Sequence, residues 1–115
     1  MNGERLIYAV GIADIKELTG IEFDFKEFKT VPQYLYMGSI DDNDPVPHSD
    51  CYGDEEREIF IRVIGQTWEE RWEKAMDVYK EQNISAIFKT YPNVWHTITD
   101  TMQKDVINFL KSNIK

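Results

Sequence analysis

The order of elements along the chain predicts an α/β architecture with two or three parallel strands and flanking helices. Two observations carry that prediction. Segments 31–37 and 84–90 are short apolar runs rich in aromatic and β-branched residues, the composition of buried strands. Between them lie two amphipathic segments, and a third follows the second run. A crossover of that length brings a strand back parallel to its predecessor, whereas a hairpin would need only a few residues.

Segment 5–13 is apolar enough for a further buried strand, and Gly20 closes a short polar stretch after Ile15 and Leu18. Segment 31–37 ends at Gly38 and runs into Asp41, Asp42, Asn43, Asp44 and Pro45, a turn-rich acidic loop. In 54–64, Ile59, Phe60, Val63 and Ile64 recur at helical spacing, with Gly65 placed to end the helix. Thr67 followed by Glu70 is a capping box opening the next helix. Trp68, Trp72, Ala75, Met76 and Tyr79 form one stripe along it to about Gln82, expected to pack on a sheet. After strand 84–90, residues 91–99 read as a loop. Thr99 or Asp100 then opens a last helix marked by Met102, Val106, Phe109 and Leu110.

Length and composition bound the function classes. With 115 residues and 42% hydrophobic content, the prior is a single domain spanning residues 1–115. The longest apolar stretch, from Leu6 to Ala13, falls far short of the ~20 residues of a membrane-spanning helix. Glu4 and Arg5 interrupt the start, so no signal peptide is expected. A formal net charge of −8 argues against nucleic acid or an anionic membrane as partner, since both need a basic surface. Cys51 is the single cysteine, which excludes an intrachain disulfide and makes a cytoplasmic location the simpler expectation. The four prolines, Pro32, Pro45, Pro47 and Pro92, punctuate turns without marking a linker.

Two segments carry a resemblance: YLYMGSIDDNDPVP at 34–47 and AIFKTYPNVWHTITDTMQKDVINFLK at 86–111. Together they resemble the C-terminal part of an α/β-hydrolase, of the bacterial esterase or serine-hydrolase kind. In that family a strand delivers a Gly-x-x-Asp loop whose aspartate is the triad acid, often followed by Val-Pro; Gly38 and Asp41 match. Val46 and Pro47 come two residues later than the commonest spacing, so Asp42 and Asp44 stand as alternatives behind Asp41. The family's histidine lies on the loop after the last strand, behind a Tyr-Pro or Phe-Pro turn and ahead of a helix ending in Phe-Leu. Pro92, His96, Phe109 and Leu110 fit that pattern. The separation of 55 positions from Asp41 to His96 leaves room for a helical crossover and one strand, as the elements independently suggest. Over residues 5–112 the resemblance implies a partial α/β-hydrolase fold.

What the resemblance implies chemically is a Ser-His-Asp system. His96 would act as general base and then general acid, because an imidazole changes charge near working pH. Asp41 would hold the other ring nitrogen and stabilise the imidazolium. The nucleophile of such enzymes sits on a Gly-x-Ser-x-Gly elbow upstream of the acid, and this sequence contains none. Ser39, Ser49, Ser85 and Ser112 read as structural or solvated. The expectation is therefore a C-terminal hydrolase fragment, inefficient or inactive alone, whose partner is an upstream hydrolase segment and whose completed substrate is a small acyl compound. A second reading, from a different class, is a noncatalytic interaction module that self-associates or binds a partner through an exposed sheet edge.

Other patterns carry less. The acidic run lacks the glycine and distal glutamate of an EF-hand loop, so a solvated turn is expected. His48, Asp50 and Cys51 lack the paired spacing of a zinc site, and Cys51 lies outside any nucleophile motif. Neither metal nor cofactor is implied. Asn83-Ile84-Ser85 matches a glycosylation acceptor of a kind frequent by chance.

Overall fold

The computed structural model describes residues 5–8, 10–48, 50 and 52–114. Ala9, Ser49 and Cys51, on which some of the sequence readings fall, lie outside the described residues. Helices α1 (Ile15–Thr19) and α2 (Phe25–Phe28) precede strand β1 (Gln33–Gly38), helices α3 (Asp54–Val63) and α4 (Trp68–Glu81), strand β2 (Ala86–Tyr91) and helix α5 (Asp100–Asn113). The fold is thus mixed α/β. Two compact units divide the chain, one comprising residues 1–28 and 44–78 and the other residues 29–43 and 79–115.

The second unit holds the sheet. β1 and β2 pair in parallel, from Gln33 opposite Ala86 to Gly38 opposite Tyr91, and among the described residues no third strand joins them. Because side chains alternate along a strand, Tyr34 and Tyr36 share a face with Lys89 and Tyr91, while Gln33 and Phe88 share the opposite one. α5 packs on the first face: Phe109 meets Tyr34 at 5.3 Å between ring centroids, and Asp105 accepts hydrogen bonds from Lys89 and Tyr91, both at 2.6 Å. The Tyr34 and Tyr91 hydroxyls are 2.6 Å apart. On the other face Tyr79, from the last turn of α4, lies edge-on to Phe88 at 5.2 Å and donates to the side-chain oxygen Oε1 of Gln33. Tyr79 is the stripe residue that belongs to the second unit; Trp68, Trp72, Ala75 and Met76 belong to the first and are half-buried. Tyr91 and Met102 are the buried apolar side chains of the second unit.

In the second unit α5 begins where the sequence placed it. Thr99 Oγ1 accepts from the Met102 backbone N–H, while the Thr99 N–H donates to the Met102 sulfur, so a thioether stands where a capping box usually has a carboxylate. α4 opens in the first unit with the expected box, Thr67 Oγ1 accepting from Glu70 and the Glu70 carboxylate accepting from the N–H groups of Gln66 and Thr67. Gly65, with φ +148°, turns the chain between α3 and α4.

One expectation needs correction. Segment 5–13 does not form a strand in its described residues. Instead the chain folds back on itself: Ala13 N–H donates to the Leu6 carbonyl, Val10 and Gly11 to that of Ile7, and the Arg5 guanidinium reaches the Ala13 carbonyl and Glu17. An apolar run is strand-like only if a neighbouring strand takes up its backbone groups; here internal turns do so. Among the described residues the sheet therefore has two strands, the smaller of the two numbers expected. The polar stretch before Gly20 is the short helix α1, ended by Gly20 at φ +78°, and Phe23, Phe25 and Phe28 cluster around α2. No helix of the described residues is long and apolar enough to cross a membrane.

Candidate functional site

Both strands of the sheet end in loops on the same side, because the pairing is parallel. The loop after β1 carries Asp41 and the loop after β2 carries His96. Three hydrogen bonds tie these loops together: Ser39 N–H to the Tyr91 carbonyl at 2.8 Å, Ile40 N–H to the Val94 carbonyl at 3.2 Å, and Asn93 N–H to Ser39 Oγ at 2.8 Å. Asn93 takes φ +58° to make the turn after Pro92, a conformation asparagine tolerates better than most residues. Gly38 allows the approach for a different reason. A Cβ there would collide with the Val94 carbonyl oxygen and lie 2.7 Å from its carbon, so any side chain would drive the loops apart.

The result brings the two sequence-predicted residues into contact. His96 Nδ1 lies 3.0 Å from Asp41 Oδ2. The Asp41 side chain is 18% exposed and that of His96 67%, so the carboxylate is sheltered and the ring faces solvent. Burial pushes the Asp41 carboxyl up, but the hydrogen bond from His96, that from the Asn43 backbone N–H and the His96 charge outweigh it, and the group sits below its ordinary 3.8. An ionised carboxylate only accepts, so the Nδ1 nitrogen carries the proton.

The crowded loop is resolved residue by residue. Asp44 ion-pairs with Arg71 and accepts the Val46 N–H at 3.2 Å, within the first unit. Asp42 is exposed. Asp41 alone of the three meets the histidine. Ser39 serves the loop contact above, Ser112 Oγ donates to the Asn108 carbonyl at 2.8 Å, and Ser85 is exposed. Among the described residues no serine hydrogen-bonds His96.

Sequence reasoning overlooked Asn43, which it treated only as part of a turn. Its backbone N–H donates to Asp41 Oδ1 at 3.0 Å, and its amide nitrogen lies 3.1 Å from His96 Nε2. The Asx-turn propensity of Asp41-x-Asn43 was a signal for the first bond, not the second. Beside the pair, Tyr36, Met37, Gly38, Asp41, His96, Thr97, Ile98 and Met102 line a depression of about 380 Å³. That volume lies within the ~300–1,000 Å³ typical of small-molecule sites. Among the described residues no group of three or more histidine, cysteine, aspartate or glutamate side chains is placed to hold a metal ion.

No protein-family model matches the chain, and neither do the curated proteins nor the solved structures compared with it.

Proposed function

We propose that this chain is the C-terminal portion of an α/β-hydrolase domain and supplies the acid and the histidine of a Ser-His-Asp system acting on an ester or related acyl bond. One observation carries the reading: Asp41 and His96, from loops at the carboxyl ends of two adjacent parallel strands, share a 3.0 Å hydrogen bond through Nδ1. Sites in open α/β sheets gather at that end of the strands. In this role the proton on Nδ1 leaves Nε2 unprotonated, the nitrogen that takes a proton from a serine hydroxyl and returns it to the leaving group, while Asp41 stabilises the imidazolium formed between the two steps. The depression beside His96 is where the acyl or alcohol part of a small substrate would lie.

The nucleophile and the oxyanion donors come from an upstream segment bearing the Gly-x-Ser-x-Gly elbow. This chain alone is therefore a poor catalyst, because oxyanion donors account for ~10²–10³ in rate and the serine for more. Joined to such a segment, the chain is expected to support cleavage of a nitrophenyl ester, and His96→Ala in the joined protein is expected to lower kcat by ~10³ or more. Activity that survives His96→Ala would sink the assignment.

The second reading is an interaction module. It is favoured by the outer edges of β1 and β2, which have no strand partner among the described residues. Open edges pair readily with another strand, from a second copy or a different protein. A species that stays monomeric by sedimentation across a wide concentration range would count against it.

A further inference from the structure

The imidazole of His96 is engaged on both sides. Nδ1 faces Asp41 Oδ2 at 3.0 Å, and Nε2 faces the Asn43 side-chain nitrogen at 3.1 Å. With the Nδ1 proton directed at a carboxylate, Nε2 of the neutral ring is an acceptor, and the Asn43 amide is the donor that satisfies it. Asn43 is itself oriented by the same carboxylate, whose second oxygen accepts the Asn43 backbone N–H at 3.0 Å. Asp41 thus gives one oxygen to the ring and the other to the residue that meets Nε2. The three residues close a small hydrogen-bonded circuit across two loops.

We propose that Asn43 is a positioning residue that locks His96 in the Nδ1–H tautomer and masks its basic nitrogen. The masking rests on the geometry of this chain alone; its consequence for catalysis rests on the hydrolase reading above. A serine hydroxyl must occupy the place at Nε2 that the Asn43 amide now holds. Assembly with the nucleophile segment therefore requires the amide to swing out, and until then the base is protected from stray proton transfer and acylation. Asn43 is exposed and lies in a loop, so its replacement leaves the strands and helices intact.

Diethyl pyrocarbonate, which acylates unprotonated imidazole nitrogen, tests the masking, with exposed His48 as internal reference. Asn43→Ala is expected to speed modification of His96 relative to His48 by about two- to tenfold, the change an ordinary net hydrogen bond supports. An unchanged ratio overturns the proposal. Asn43→Asp keeps the side-chain size and the backbone N–H bond to Asp41 but faces Nε2 with an acceptor only. Nitrogen NMR of the ring is expected to find both nitrogens protonated at a pH where the parent carries one proton, and a spectrum identical to the parent's overturns the tautomer lock. Both measurements use this chain alone, so they decide the masking whatever the joined protein does with an ester. In the joined protein Asn43→Ala is expected to raise kcat by about two- to tenfold; a fall would assign Asn43 to supporting the base there and overturn the catalytic consequence drawn from the mask.

Discussion

The two units are held together by different means. The second unit depends on a non-local pairing: β1 and β2 lie 53 positions apart in register, and α5 covers one face through aromatic contacts and the Asp105 carboxylate. The first unit has no sheet among its described residues and relies on arginines bonded to main-chain carbonyls. Arg57 donates to Val46 and Tyr52, and Arg71 donates to Gly65 and Gln66, pairs with Asp44 and lies over the Phe60 ring at 5.8 Å. Its buried apolar side chains are Val46 and Val63, each contributing only ~1.5–3 kcal/mol from burial. The comparison teaches that the acidic loop is shared between two regimes. Asp41 serves the strand-end site, and Asp44, three residues on, serves the arginine of the other unit. A run of aspartates that looks uniform in sequence is divided by which cation or donor each one meets.

The sharpest way to break the second unit without touching the first is Gly38→Ala. The added methyl group would meet backbone and not a pliable side chain, so a cost of about 3 kcal/mol or more is expected. Urea unfolding should register the loss, and hydrogen exchange should localise it to β1, β2 and the two loops. Protection of those amides equal to the parent's would refute the close-approach account of this glycine.

The complementary change is Arg71→Ala. The Arg71 and Asp44 side chains are 13% and 21% exposed, so removal leaves a sheltered carboxylate unpaired and two carbonyls without their donor. About 2 kcal/mol is expected, with the damage confined to the start of α4 and the loop around Val46. The His96 tautomer should be unchanged, and ring-nitrogen spectra of the variant can check that.

The smallest effect expected is the pH dependence of the second unit. Asp105 is held below 3.8 by hydrogen bonds from Lys89 and Tyr91, and Asp41 is also lowered. A depressed carboxylate contributes stability that is present above its unfolded value and lost as pH falls through its folded value, so the loss begins near pH 4 and grows below it. Burial, with the bonds to Asp105 and Tyr34, raises the Tyr91 hydroxyl above its ordinary 10.0. A raised group has its full contribution below the unfolded value and loses it as pH climbs, here from about pH 10 upward. Asp105→Asn should flatten the acid limb and Tyr91→Phe the alkaline limb of unfolding free energy against pH. Limbs as steep as the parent's would exclude these groups as their source.

Much of this was legible in sequence because it is local. The caps at Thr67 and Thr99 and the stops at Gly20 and Gly65 depend on residues within one turn of each other, and α3, α4 and α5 begin or end there as expected. The Gly38-x-x-Asp41 loop and the Pro92 to His96 loop were visible for the same reason. Segment 5–13 misled because apolar content reports burial without reporting a pairing partner, and strands need one.

Local sequence was enough to place β1, β2, α3, α4 and α5, their order and the two loops that carry an acid and a histidine. Tertiary structure alone decided that Asp41 and not Asp42 or Asp44 meets His96, that Gly38 must lack a side chain because Val94 passes over it, and that Asn43 covers Nε2. Those outcomes depend on distances of about 3 Å between residues some fifty positions apart. They follow from the parallel register of two strands, which no periodicity within either strand encodes.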